Sequence, residues 1–377
     1  MDLPRERKIV SLQAMDTLQT QMNESLLKQH IQVNFDEIVS FLSTYNRKIK
    51  VPSYFDFLQT FILAHYNNFT QDNLVMFMES LVQRIQGELQ EQEGAEPKKK
   101  TLSLKGGKGR ITGGKRGGNN AKSNVRINKC WNTIRFIAEH DFFAANFLSI
   151  IETSLIPLFE YMVRPNSIDF DDDIIFCLNS LMKKSKKVSP ILSKIFPYLP
   201  KFQEKYKGIF GNLLQTLNSY ILYSQPEDGS PGMFDDPGAL NLIVEMANMS
   251  LYRKEEPIVL GNNMEGAILL QIAFQNLKGD LIKQAIPSIL TNVLTRMSQQ
   301  PMSKTFHRTL LEVIYSALLC DVNSTILFLH QANYLLDFFR LAIEGWRDLR
   351  LSYERKLLTL AMTNFLFNSD VPEALKP

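Results

Sequence analysis

The chain has 377 residues, and its 45% hydrophobic content is enough for a large folded core. Its three cysteines are few and far apart, which excludes a disulfide framework and C-x-x-C metal spacing and indicates a reducing, intracellular compartment. The net charge of +3 hides an uneven distribution. Residues 98–129, called the basic strip below, contain eleven Lys or Arg and no Asp or Glu, so the rest of the chain carries −8.

Apolar residues recur at helical spacing along almost the whole chain, and sustained strand-like alternation is missing. Three clear stripes are Leu74, Met78, Leu81, Ile85 and Leu89; Ile209, Leu213, Leu217 and Ile221; and Phe306, Leu310, Val313 and Ala317. The predicted helices, in chain order, are 8–30, 35–45, 53–66, 71–91, 125–139, 142–163, 171–185, 189–203, 206–223, 237–253, 264–277, 282–298, 303–320, 323–345 and 351–367.

The most apolar window is 142–159, and it is interrupted by Asn146, Glu152 and Pro157. We therefore expect no membrane span. The first residues, MDLPRERK, are charged and no apolar stretch follows them, so we also expect no secretory signal.

Prolines inside three apolar runs suggest how these helices are arranged. Pro157 and Pro197 are 40 residues apart, which is the length of one HEAT-type hairpin, and Pro287 lies in a similar context. A proline near a helix start bends or restarts the helix, as suits hairpins that stack along a solenoid. The predicted fold is an all-α, HEAT-repeat superhelical solenoid. Its helical repeats occupy 1–91 and 125–377, and a disordered basic loop occupies 92–124.

The glycines of KGRITGGKRGG, 108–118, nearly spell a phosphate-binding loop, G-x-x-x-x-G-K followed by Ser or Thr. No strand leads into them, and Arg116 replaces the hydroxyl that would hold magnesium, so we predict a flexible loop and no nucleotide site. The loop could contact nucleic acid phosphates, and PKKK (97–100) matches a nuclear import signal. Its candidate binding residues are Lys98, Lys99, Lys100, Lys105, Lys108, Arg110, Lys115, Arg116 and Lys122.

Catalytic and metal-binding patterns are weak. The five histidines are scattered singly, without an H-E-x-x-H motif or a cysteine neighbour. The aspartates at 171–173 and 235–236 each precede a helix, where capping and compensation of the helix dipole are a simpler role than metal binding. We expect a binding protein that is not an enzyme and needs no cofactor or metal.

Several segments, taken in order, resemble one known family. They are LSTYNRKI (42–49), CWNTIRFIAEH (130–140), LLQTLNSYI (213–221), LLQIAFQNLKGDLIKQAIPSILTNVLTRM (269–297) and LLTLAMTNFL (357–366). From about residue 35 onward the chain is similar to the C-terminal half of an importin-β-family karyopherin, of the importin-seven/importin-eight branch. The family's insertion at 92–124 tends to be acidic, whereas this one is basic, and the N-terminal arch that carries most of the Ran-binding surface has no counterpart here.

The resemblance implies a nuclear transport receptor segment that shuttles between nucleus and cytoplasm. Its implied partners are basic protein cargo such as histones or ribosomal proteins, nucleoporin FG repeats, and the small GTPase Ran, whose site we expect to be incomplete. The acidic body would attract basic cargo. The candidate cargo contacts are Asp171, Asp172, Asp173, Asp235 and Asp236. Two alternatives are a HEAT-repeat scaffold subunit of another complex, and a nucleic-acid-associated helical protein that uses the basic loop.

Overall fold

The structure, a computed structural model, describes residues 31–46, 53–93, 117–162, 171–205, 210–225, 232–252, 260–299, 302–346, 349 and 351–367. In these ranges the regular structure is helical and contains no strand, as predicted. The α-helices are α1 Phe35–Asn46, α2 Ser53–His65, α3 Gln71–Glu93, α4 Gly117–Glu139, α5 Asp141–Met162, α6 Asp171–Ser185, α7 Pro190–Ile195, α8 Leu199–Lys205, α9 Phe210–Tyr223, α10 Pro237–Leu251, α11 Leu260–Asn276, α12 Asp280–Ser298, α13 Lys304–Cys320, α14 Val322–Gln331, α15 Leu335–Gly345 and α16 Ser352–Phe367.

The chain divides into two compact units, Met1–Ser185 and Lys186–Pro377, and in each unit the helices pack as two rows. In the first unit, row A consists of α1, α3 and α5, and row B consists of α2, α4 and α6. In the second unit, α9, α11, α13 and α16 form one row, and α8, α10, α12 and α14 form the other. Stacked antiparallel hairpins of this kind are the HEAT-type solenoid arrangement that the sequence predicts.

Side-chain hydrogen bonds repeat along each stack at about the length of one hairpin. Asn46 donates to Ser80 Oγ, 34 residues away, and Gln203 donates to the carbonyl of Met246, 43 residues away. Gln271 donates to the carbonyl of Thr309, and Asn364 donates to the carbonyl of Leu318, across 38 and 46 residues. A period of roughly 40 residues is expected when each hairpin packs on the next.

The predicted apolar stripes form the core. In the part of the chain that the structure describes, each of their members is buried, including Leu81 and Leu310, which are 0% exposed. Ile209 lies outside the described residues. One of the three prolines lies at a restart: Pro197 is in the 3-10 turn that joins α7 to α8. Pro157 and Pro287 lie inside α5 and α12, and the non-helical residue of α5 is Phe147.

Three predicted helices differ most from the structure. The predicted helix 189–203 is divided into α7 and α8 by the 3-10 turn Phe196–Tyr198. The predicted helix 323–345 is two helices, because Asn333 adopts a left-handed φ of 54° and breaks the chain between α14 and α15. Helix α4 begins at Gly117 rather than 125, and the hydrogen bonds of Ser123 and Arg126 to Glu88 hold its first turns in place. The predicted helix 8–30 lies outside the described residues.

One described helix is long and apolar enough to cross a membrane by length and composition alone, over Asp141–Tyr161. Core helices of folded domains satisfy the same criterion. This helix, α5, packs against α3, α4 and α6, and it buries Phe143, Ile151, Leu155 and Phe159.

Candidate protein-binding surface

The exposed surface of row A in the first unit is acidic. Helix α1 begins with an acidic turn, α3 presents single carboxylates along its length, and α5 has one near each end. Among the described side chains of these helices, no Lys or Arg is exposed, because the one cation, Arg84, is buried. We call this the row-A surface; its exposed carboxylates are those of Asp36, Glu37, Asp72, Glu79, Glu91, Asp141 and Glu160.

Two grooves run along the row-A surface, one on each side of α3. The groove between α1 and α3 has a volume of about 760 Å³ and is lined by Asp36, Glu37 and Asp72 together with the apolar Phe41 and Met76. Asn73 donates a 2.7 Å hydrogen bond to Asp36 Oδ1, which joins the two helices at this groove.

The second groove lies between α3 and α5 and has a volume of about 520 Å³. Glu79 is its carboxylate, and Val75, Val82, Ile150 and Pro157 contribute apolar surface. Each groove therefore combines negative charge with apolar contact area. Lysine and arginine match such a lining, because their aliphatic stems pack on apolar surface while their charged ends pair with carboxylates.

Row B of the same unit differs in charge. Lys129 forms an ion pair with Asp56, and Arg135 pairs with Glu139. Two further cations, Lys183 and Lys184, are exposed at the end of α6, and Lys184 pairs with Asp141 at the start of α5. Negative charge without exposed cations is thus a property of row A within this unit and does not extend to row B.

A buried charge cluster joins the two rows beside the ends of α3 and α4. Glu88 accepts hydrogen bonds from Arg126 Nε at 2.7 Å and from Ser123 Oγ at 2.5 Å, and Arg84 lies against the same carboxylate. Burial alone would raise the pKa of Glu88, but the bonds from Arg126 and Ser123 and the charges of both arginines outweigh it, so the pKa is lowered. The carboxylate stays ionised and ties α3 to α4.

The second unit contains a different buried cluster. Arg308 Nη2 is 3.1 Å from Glu354 Oε1, and its Nε is 4.0 Å from Glu312 Oε1. Gln271 donates to Glu312 Oε2 at 3.2 Å. Burial and the neighbouring charge of Glu354 raise the pKa of Glu312 to about 7. This cluster connects α11, α13 and α16 and lies beside a groove of about 700 Å³ that includes Arg308 and Lys304.

The predicted acidic contacts take part in local helix structure where the structure describes them. Asp236 is the N-cap of α10 and accepts from the Gly238 amide at 3.1 Å, and Asp235 accepts from the Gly232 amide at 2.7 Å. Helix α6 begins at Asp171, and Asp173 is half-buried in its first turn, while the side chains of Asp171 and Asp172 lie outside the description. The capping interpretation is thus confirmed for Asp236.

The predicted basic-loop residues fall almost entirely outside the described part of the chain. This applies to Lys98, Lys99, Lys100, Lys105, Lys108, Arg110, Lys115, Arg116 and the side chain of Lys122. The last two cations of the basic strip are described, and both are engaged: Arg126 binds Glu88, and Lys129 binds Asp56.

Sequence reasoning did not identify the row-A surface. It selected runs of adjacent aspartates, whereas this surface is built from single carboxylates on three helices. The available signal was spacing: Asp72 and Glu79 are seven residues apart and so share one helix face, and α1 contains Asp36 and Glu37 without a cation.

Burial limits the reactivity of the three cysteine thiols. Cys130 and Cys177 are buried, and burial raises the pKa of each. Burial likewise raises the pKa of Cys320 to about 11. Thiolates are the reactive form, so these cysteines are poor nucleophiles in the folded chain. No group of three or more His, Cys, Asp or Glu side chains with metal-binding geometry occurs among the residues that were described.

Comparison with known proteins finds similarity at the level of structure. No family model matches the sequence, and no curated protein matches it. Among solved structures, the chain is similar to the crystal structure of Kap121p, an importin-β-family karyopherin, with a TM-score of 0.35 and 13% identity. The match covers 96% of this chain and 37% of that chain, so the chain spans about a third of that neighbour's length. Similarity at this level does not assign the chain to a family, and it gives no support to the importin-seven/importin-eight branch.

Proposed function

We propose that the chain is a protein-binding segment of an importin-like nuclear transport receptor, and that it takes basic protein cargo on the row-A surface. The observation that carries this proposal is the charge of that surface: its exposed ionisable side chains are all carboxylates, and two grooves run between them. The proposed role is binding, with no catalytic step and no cofactor.

Charge and shape support a basic, extended ligand. A row of carboxylates with no exposed Lys or Arg on its own helices attracts a positively charged segment and accelerates encounter at low salt. Each exposed ion pair contributes only about 0.2 to 1 kcal/mol, so specificity requires several contacts together. Asp36, Glu37, Asp72 and Glu79 provide such a set, and Phe41 and Met76 offer apolar surface beside it.

The transport context rests on the sequence resemblance. This resemblance is the basis for proposing Ran and nucleoporin FG repeats as partners, shuttling through the nuclear pore, and membership of the importin-seven/importin-eight branch. A scaffold subunit of another complex would share the helical rows but would not bind FG repeats. A pull-down with and without GTP-loaded Ran, scored for FG nucleoporins and for histones, separates these two functions.

The binding surface itself can be tested by direct titration. A fluorescein-labelled, lysine-rich histone-tail peptide is titrated with the full chain and with the triple variant Glu37→Gln, Asp72→Asn, Glu79→Gln. Loss of three weak ion pairs should reduce affinity roughly fivefold to tenfold at low salt. The matched control neutralises Glu204, Glu245 and Glu344, three exposed carboxylates of the second unit, and should leave affinity unchanged. Equal losses in the two variants would show that the ligand responds only to net charge.

A further inference from the structure

The chain contains a basic segment that leaves row A at the end of α3 and joins row B at the start of α4. Helix α3 ends at Glu93 and α4 begins at Gly117, and the bonds of Ser123 and Arg126 to Glu88 hold these ends together. The intervening residues, 94–116, contain eight Lys or Arg and a single Glu. A strongly positive segment is therefore attached at one end of a carboxylate-rich helix.

Distances along the chain allow this segment to reach the grooves. From Glu93 back to Glu79, α3 rises about 21 Å, and to Asp72 it rises about 32 Å. Lys105 is twelve residues from each end helix, and twelve residues span at most about 40 Å when extended.

Charge favours row A over row B as the place where the segment binds. The helices of row A present exposed carboxylates and no exposed Lys or Arg among their described side chains. Row B has mixed charge, because Lys129 and Arg135 pair with Asp56 and Glu139 of the same row. A tethered positive segment is therefore attracted more strongly to row A than to the mixed charges of row B. Apolar contact is also possible, since the segment contains Leu102, Leu104 and Ile111 and the grooves have apolar walls.

We propose that residues 98–116 bind the two grooves of the row-A surface in their own chain and compete there with basic cargo. This inference rests on the proposed function of that surface. Tethering at this distance gives an effective concentration of about 1 mM. If the isolated segment binds with a dissociation constant on the order of 0.1 mM, its presence weakens a competing ligand roughly tenfold. Because the contacts are exposed ion pairs, the effect decreases as salt rises.

The test compares the full chain with a segment-neutral variant of equal length, in which Lys98, Lys99, Lys100, Lys105, Lys108, Arg110, Lys115 and Arg116 are all changed to Gln. The probe is a fluorescein-labelled peptide that copies residues 96–116. We expect the segment-neutral chain to bind this peptide about tenfold more tightly than wild type at low salt, with the difference disappearing near 0.5 M salt.

Placement on row A is tested in the segment-neutral background. Asp72→Lys with Glu79→Lys should abolish peptide binding, while the control Glu204→Lys with Glu245→Lys should retain it. Retained binding in the first variant would overturn the placement. Equal peptide affinity of wild-type and segment-neutral chains would overturn self-competition but leave cargo binding intact. No binding by either chain would overturn both, and circular dichroism confirms that each variant is folded.

Discussion

Removing the charge of Glu312 should stabilise the second unit at neutral and alkaline pH. Glu312 is 7% exposed, and it shares one guanidinium, that of Arg308, with a second buried carboxylate, Glu354. Glu312→Gln keeps the shape of the side chain and an oxygen that accepts from Gln271. Arg308 retains its partner Glu354, so the substitution leaves no buried charge unpaired.

The size of this effect follows from the shift in pKa. Burial and Glu354 raise the pKa of Glu312 from 4.5 to about 7 in the folded chain. A carboxyl whose folded pKa is raised contributes stability that is complete below 4.5 and is lost as pH rises through 7. The wild-type free energy of unfolding should therefore fall by roughly 3 kcal/mol between pH 5 and pH 8 because of this group.

Urea titration followed by circular dichroism at pH 5, 6, 7 and 8 measures the difference. Glu312→Gln should exceed wild type by less than about 1 kcal/mol at pH 5 and by about 3 kcal/mol at pH 8. The control Glu204→Gln, at an exposed carboxylate, should follow the wild-type curve throughout. A variant that is less stable than wild type at pH 8 would refute the reasoning, because it would mean that the ionised carboxylate makes a net stabilising contact with Arg308.

Three further pairs of substitutions test the rest of the fold by denaturant titration, which measures the free energy of unfolding. Glu88→Ala should lower the free energy of unfolding by about 3 to 5 kcal/mol, because it leaves the buried Arg84 and Arg126 without their shared partner. The control Glu91→Ala, at an exposed carboxylate, should lower it hardly at all. Similar losses in the two variants would contradict the buried cluster. Leu310→Asp should cost more than about 4 kcal/mol, and Lys184→Asp, at an exposed ion pair with Asp141, less than about 1 kcal/mol. Asn333→Gly should leave the free energy of unfolding unchanged, while Asn333→Val should lower it by about 1 to 2 kcal/mol because of the left-handed φ. Equal effects of the two substitutions would show that Asn333 is not where the helix between α14 and α15 is broken.

The sequence was sufficient to predict the fold because burial follows periodicity. Leu74, Met78 and Leu81 repeat at helical spacing, and each is buried in α3. The break at Asn333 was not predicted, because no glycine or proline marks it and asparagine adopts left-handed φ only in some contexts. The early start of α4 depends on Glu88, 35 residues before Ser123, and so cannot be recognised locally.

The row-A surface illustrates why a site is harder to predict than a fold. Its carboxylates come from α1, α3 and α5, and only the packing of these helices brings Asp36 and Asp72 into the same groove. The adjacent aspartates at 235–236 were more conspicuous in the sequence, but they bond to nearby amides at a helix start. Clustering along the chain indicates local capping, whereas clustering in space requires knowledge of the rows.

The bonds from Ser123 and Arg126 to Glu88 also have a consequence for how this chain can vary and be engineered. They fix the separation of the two helix ends that residues 94–116 connect, so the stack does not depend on the length of that connection. Closing a connection twice as long costs only about 0.6 kcal/mol. A fluorescent reporter domain inserted between Glu93 and Gly117 should therefore leave both rows intact, and the same property allows insertions of very different length and charge to accumulate at this position without loss of the fold.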